Sequence, residues 1–157
     1  MFCYRLVKKK YADTAFSGEG ARRKNSRWMP KGSAVVYASE SKALAALELF
    51  VNLGDEGREI RLVCIQAEIP DTLKISEIKL SVLPENWRET PAPEALMSFG
   101  AEWYRKSETA VLRVPSVVIT TEFNYLINLS HPDFKKIKIN PPEDVCYDPR
   151  MWKQHKM

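Results

Sequence analysis

The sequence predicts an α+β fold: a single compact domain whose central mixed or antiparallel β-sheet is flanked by helices. Three observations carry this. Short apolar runs with strand character recur at Phe2–Val7, Ala34–Ala38, Ile60–Ile69, Leu73–Leu83 and Thr109–Val114. Only residues 41–53 and 93–105 have helical character. No repeat or linker divides the 157 residues, a length at which one core buries roughly 70% of the unfolded surface, so residues 1–157 form one domain with a core over about 4–139 and a tail over 140–157.

Phe2, Tyr4 and Leu6 alternate with Cys3, Arg5 and Val7, which makes the first strand. Arg5 lies within it, either snorkelling to water or held for an anion. Residues 8–33 hold Gly18, Gly20, Pro30 and Gly32 among many lysines and arginines, and read as a long basic loop. Trp28 should be buried and anchor that loop beside Arg27. Ala34–Ala38 reads as a buried strand, and Ser39 or Ser41 can cap the next helix, which Gly54 can end. Ala43–Leu53 is apolar almost all round, so this helix should be central. On it Ser41, Ala45, Glu48 and Asn52 share one stripe, which faces either water or a cleft.

Ile60–Ile69 and Leu73–Leu83 read as strands ended by Pro70 and Pro84. Glu85–Arg88 is a turn whose Trp87 should dock on the core. Pro93 suits the first turn of a helix reaching Arg105, with Leu96, Phe99 and Trp103 on one face and Gly100 allowing close approach. Thr109–Val114 is a strand, broken at Pro115-Ser116 and resuming extended over Val117–Thr120; Ser116 is either a plain turn serine or one aimed at a site. Asn124–Leu129 is ambiguous, His131–Asp133 a turn, and Phe134–Ile139 a basic edge strand. In the tail from Pro141 only Trp152 should pack.

Lysine and arginine total 24 against 20 acidic residues, a net charge of +4 that suits an anionic small molecule or acidic partner and falls short of a dedicated nucleic-acid binder. Cys3, Cys64 and Cys146 form no metal-binding or disulfide pattern, and reduced buried thiols at Cys3 and Cys64 point to the cytoplasm. No run approaches the roughly 20 apolar residues of a membrane span, and the first residues do not form an export signal. His131 and His155 are too few for a metal site, and no GxGxxG, GxxxxGK[ST], HExxH or GxSxG motif occurs. A Cys–His or Ser–His–Asp site would have to rest on His131 alone, which argues for chemistry done with arginine, tyrosine and glutamate.

The series Tyr4-Arg5-Leu6, Phe16 to Ala21, Ser26 to Gly32, Val35 to Ser39, Ala43 to Glu48, Pro84 to Trp87, Gly100 to Trp103, Leu112 to Ser116 and Asn128 to Pro132 resembles the RES-domain family over about residues 4–139. One departure is Asn25-Ser26-Arg27-Trp28-Met29, where the family often has Gly-Gly-Arg-Trp-Asn. The resemblance implies a fold like the ADP-ribosyltransferase toxins and a bacterial toxin of RES–Xre toxin–antitoxin type that consumes NAD by hydrolysis or phosphorolysis. It also implies a site of Arg5, Arg27, Tyr37, Glu48 and Ser116: Glu48, Tyr37 and Arg27 catalytic, and Arg5, Arg27, Tyr37 and Ser116 binding substrate. It further implies NAD as substrate with no prosthetic group or metal, and a cognate Xre-type antitoxin that blocks the cleft, in a homo- or hetero-oligomer.

These residue types suit the reaction. Guanidinium forks grip a pyrophosphate, and a glutamate beside the ribose offsets charge growing at the anomeric carbon. Tyr37 can stack on nicotinamide, and Ser116 can hold a ribose or amide group. Protein ADP-ribosylation by the same site is the alternative, and a non-catalytic or RNA-directed module using residues 22–31 is a more distant one.

Overall fold

A computed structural model describes residues 1–53 and 60–152. The expected helix stop at Gly54 and the tail residue His155 lie outside the described residues. The strands are β1 (Phe2–Lys8), β2 (Val35–Ser39), β3 (Leu62–Glu68), β4 (Ile75–Glu77), β5 (Val111–Pro115), β6 (Phe123–Asn128), β7 (Lys138–Ile139) and β8 (Glu143–Val145). The α-helices are α1 (Glu19–Arg23), α2 (Lys42–Phe50) and α3 (Ala95–Lys106). Among the described residues all eight strands join one sheet in the order β4-β5-β6-β2-β1-β3-β7, with β8 also on β3. Only β4–β5 is parallel, so the α+β class with a mixed sheet holds.

The sheet is weakest at its centre. β1 pairs with β3 over seven residues, and β2 with β6 over five. Between β1 and β2 the register holds one pair, Tyr4↔Ser39, so the two strands part beyond it. Strand alternation puts Tyr4, Leu6, Val35, Tyr37, Ser39, Leu112 and Leu126 on one face. Both longer helices cover that face. Ala45 of α2 packs on Leu6 and Cys64, and Leu96 and Trp103 of α3 pack with Trp28, Val35, Leu112 and Leu126. The opposite face, with Cys3, Ala38, Val111 and Ile127, is covered by Phe16, Phe134 and Ile137.

Several elements depart from the sequence reading. The basic loop contains a 3-10 turn at Lys9–Thr14 and α1, which is preceded by Gly18 in the left-handed region at φ 75°. Leu73–Leu83 is not one strand: β4 ends at Glu77 and a 3-10 turn carries Leu80 and Val82 outward into water. Val117–Thr120 is not extended but is the turn joining β5 to β6, and the ambiguous stretch after Asn124 is a central strand. Phe134 belongs to a 3-10 turn, leaving two residues of strand at the edge.

α2 is not central either, since only Leu44 and Ala45 are buried on it. Its apolar outer side is partly covered by the tail. β8 pairs with β3, the Tyr147 hydroxyl donates to the Ala46 carbonyl, and the rings of Phe50, Tyr147 and Trp152 meet edge to face. Lys9–Asp144 and Lys42–Glu143 ion pairs fasten the same segment. Cys3 and Cys64 are buried free thiols, and burial pushes Cys3 up to about 12, which keeps it protonated and inert. Among the described residues no helix is long and apolar enough to cross a membrane.

Candidate active site

Where β1 and β2 part, a cleft of about 910 Å³ opens. Its wall includes Arg5 from β1, Arg27 from the basic loop, Tyr37 from β2, Glu48 from α2 and Asn124 from β6. A second cavity of about 440 Å³ shares Arg5 and Tyr37 with it and runs toward α1. The sheet is thus hollowed from both sides at the missing ladder, with Arg5 between.

Each side chain is delivered by a local cause. Ser41 caps α2, accepting from the Leu44 amide at 3.0 Å. The helical repeat from that cap turns Ala45 and Glu48 to the cleft with Asn52 at its exposed rim, while Ser41, the first residue of the stripe read from the sequence, is not on the cleft wall. Trp28 is buried against Trp87, with ring centroids 6.5 Å apart, and fixes Arg27 beside it. The Arg27 guanidinium donates to the carbonyls of Trp87 at 2.6 Å and Glu89 at 3.0 Å, tying the 84–90 turn over the site. Burial lowers the Arg27 pKa, and the nearby Glu48 charge raises it again.

Arg5 spans the gap in the sheet. It donates from Nη1 to the Tyr37 carbonyl at 2.7 Å, a contact where strand pairing is absent. Its Nε is buried with no hydrogen-bond partner, and burial pulls its pKa down to about 10, so it stays charged at neutral pH. A desolvated cation with a spare donor and no carboxylate partner is costly unless an anion joins it. Tyr37 is half-buried, its hydroxyl hydrogen-bonded to Ser26, and burial raises its pKa well above the ordinary phenol value.

Glu48 is the most constrained. Its Oε1 accepts from Ser116 Oγ at 2.8 Å and from Asn124 Nδ2 at 2.5 Å. Ser116 is fully buried and absent from the cleft wall, so it stands behind the carboxylate. Both sequence readings of Ser116 are partly met: its oxygen accepts from the Val118 and Ile119 amides as a turn serine does, while its proton goes to Glu48. The one proton of Ser116 goes to Glu48 and its oxygen is enclosed by the turn that follows β5. The sequence reading missed Asn124 and Ser39. Asn124 was a polar residue inside an ambiguous apolar run, and only the register Ser39↔Asn124 reveals its partner.

Residues 2–148 match the family described as the RES domain. The chain belongs to the RES-domain family. Among relatives, a Prs ADP-ribosylating toxin of Sphingobium sp. (strain YBL2) is 41% identical over 143 residues, covering 90% of this chain and 89% of the relative. A protein named Toxin Res from Yersinia enterocolitica is 34% identical over 152 residues, covering 96% and 99%. The fold matches the crystal structure of the M. tuberculosis MbcT–MbcA toxin–antitoxin complex with a TM-score of 0.73 over 92% of this chain and 83% of that one, at 16% identity.

Proposed function

We propose that this RES-domain chain is the toxin of a toxin–antitoxin system and that its cleft consumes NAD by breaking the nicotinamide–ribose bond. The observation that carries this reading is Glu48, fixed by two hydrogen bonds on one oxygen in the same cleft as Arg5, Arg27 and Tyr37. Arg5 keeps unused N–H groups for a pyrophosphate, and its buried charge favours an anion. Arg27, two of whose N–H bonds brace the 84–90 turn, still has donors for the same group. Tyr37 offers a ring face to nicotinamide.

In the reaction the C–N bond breaks and its electron pair leaves with nicotinamide as a neutral base. Glu48 offsets the positive charge left on the ribose, and water or phosphate adds an oxygen to the anomeric carbon while losing a proton. A protein nucleophile in place of water gives ADP-ribosyl transfer, a second reading favoured by the name of the 41% identical relative. The antitoxin would close the cleft, as the relation to a toxin–antitoxin complex suggests.

Incubating the protein with labelled NAD, with and without phosphate and with candidate protein acceptors, tests these readings. Release of nicotinamide with label in ADP-ribose or its phosphorylated form supports NAD cleavage, and label on protein supports transfer. Intact NAD under all conditions overturns both.

A further inference from the structure

We infer that Ser39 and Asn124 form a positioning pair that sets the Glu48 carboxylate, holding Oε1 toward the protein and leaving Oε2 for the substrate. This rests on the proposed reading of Glu48 as the group that steadies the ribose.

The pair follows from strand register. Ser39 on β2 and Asn124 on β6 are directly opposed, on the face that carries Tyr37. Opposed side chains on one face of an antiparallel ladder lie close enough to bond. Ser39 is buried, and its hydroxyl donates to Asn124 Oδ1 at 2.7 Å. That bond decides which end of the amide meets Glu48. With Oδ1 occupied, Nδ2 points at Oε1, 2.5 Å away. The reverse orientation would set the amide oxygen against a carboxylate oxygen, two acceptors with no proton between them.

Ser116 supplies the second restraint. Two backbone amides already fill its oxygen, so its single proton is free only for Oε1. Glu48 reaches these donors from α2, while Asn124 lies on β6 and Ser116 in the β5–β6 turn, so the carboxylate is tied to the sheet as well as to its helix. Both donors converge on Oε1, and Oε2 has no hydrogen bond among the described residues. A carboxylate fixed on one oxygen presents the other in one place, whereas a loose one samples several, and misplacement of about 1 Å can cost roughly a hundredfold in rate. The other charged groups near this network are Arg5 from β1, Arg27 from the basic loop, and Glu122, which accepts from Ser41 at 3.1 Å.

The test compares Asn124→Ala, Asn124→Asp, Ser39→Ala and Ser39→Thr in NAD turnover, with crystal structures of the parent and Asn124→Ala. Asn124→Ala should lower kcat by about ten- to a hundredfold while KM stays within about threefold. Ser39→Ala should give a smaller fall of the same kind, restored by Ser39→Thr. Asn124→Asp places a second carboxylate against Glu48, and two such groups share a proton at acid pH. Its activity should therefore recover on acidification, in a limb that the parent and Asn124→Ala lack. In crystals of Asn124→Ala the Glu48 carboxylate should leave its parent position. Parent-like kcat in Asn124→Ala, equal losses in kcat and KM, no acid recovery in Asn124→Asp, or an unmoved Glu48 would each overturn the pair. If the parent itself spares NAD, the proposed reaction falls, and the crystal comparison still decides the positioning.

Discussion

Glu48 and Arg5 meet opposite physical problems. The glutamate is over-supplied with partners on one oxygen, and the arginine is under-supplied on one nitrogen. Replacing Glu48 by glutamine keeps the volume and removes the charge that offsets a developing cation. Turnover of NAD should fall by about a hundredfold or more, while the dissociation constant measured by calorimetry changes only severalfold. Arg5→Met should act the other way round. It removes a desolvated charge whose one hydrogen bond among the described residues is to the Tyr37 carbonyl, so the melting temperature should hold or rise while NAD affinity collapses. A melting temperature that drops by many degrees would show instead that Arg5 serves the fold. The residue pattern alone left Arg5 and the Glu48 stripe open between water and a cleft, while Arg5, Arg27, Tyr37 and Glu48 were marked as candidate site residues by the resemblance to the RES-domain family. Ser39 and Asn124 were not, because a short polar residue in a strand shows its purpose only once its cross-strand neighbour is known.

Helices place these residues through contacts far from the cleft. Gly100 of α3 lies so close to Trp28 that an added Cβ would stand 1.9 Å from the Trp28 carbonyl oxygen and 2.6 Å from Met29 Sδ. Gly100→Ala must therefore push the loop that carries Arg27. It should cost about 1–3 kcal/mol in denaturant unfolding and weaken NAD binding in the folded fraction, a pairing a peripheral glycine would not produce. The sequence indicated this close approach because Gly100 shares a helix with Leu96, Phe99 and Trp103, which cover the sheet. The same reasoning placed α2 too deep. Its apolar outer side is partly covered by Tyr147 and Trp152, and those contacts span about a hundred residues, beyond what helical periodicity can reveal. Leu80 and Val82 misled in a different way, since their period-two spacing continues past the point where the chain leaves the sheet edge. Alternation records a pattern of side chains, and the partner strand decides whether it becomes a ladder.

At the scale of the whole molecule the sheet behaves as two slabs joined at one residue pair. β1 with β3, β7 and β8 forms one slab, and β2 with β6, β5 and β4 the other. Backbone groups of β1 and β2 that would have paired across the join line a cleft instead, and their protection rests on side chains such as Arg5. Amide exchange should therefore be slow along β1–β3 and β2–β6 and faster at amides of β1 and β2 that face the opening. A ligand that binds only the folded state adds about 2.7 kcal/mol at a concentration a hundred times its dissociation constant. If that ligand sits between the slabs, the gain should not spread evenly. NAD added to Glu48→Gln, where turnover is slowed, should protect the amides of β1 and β2 at the opening, together with the 84–90 turn that Arg27 braces. The distant edge at β4 should change little. Uniform protection would mean that the ligand merely stabilises the fold, and protection confined to a remote surface would move the binding site away from the split in the sheet.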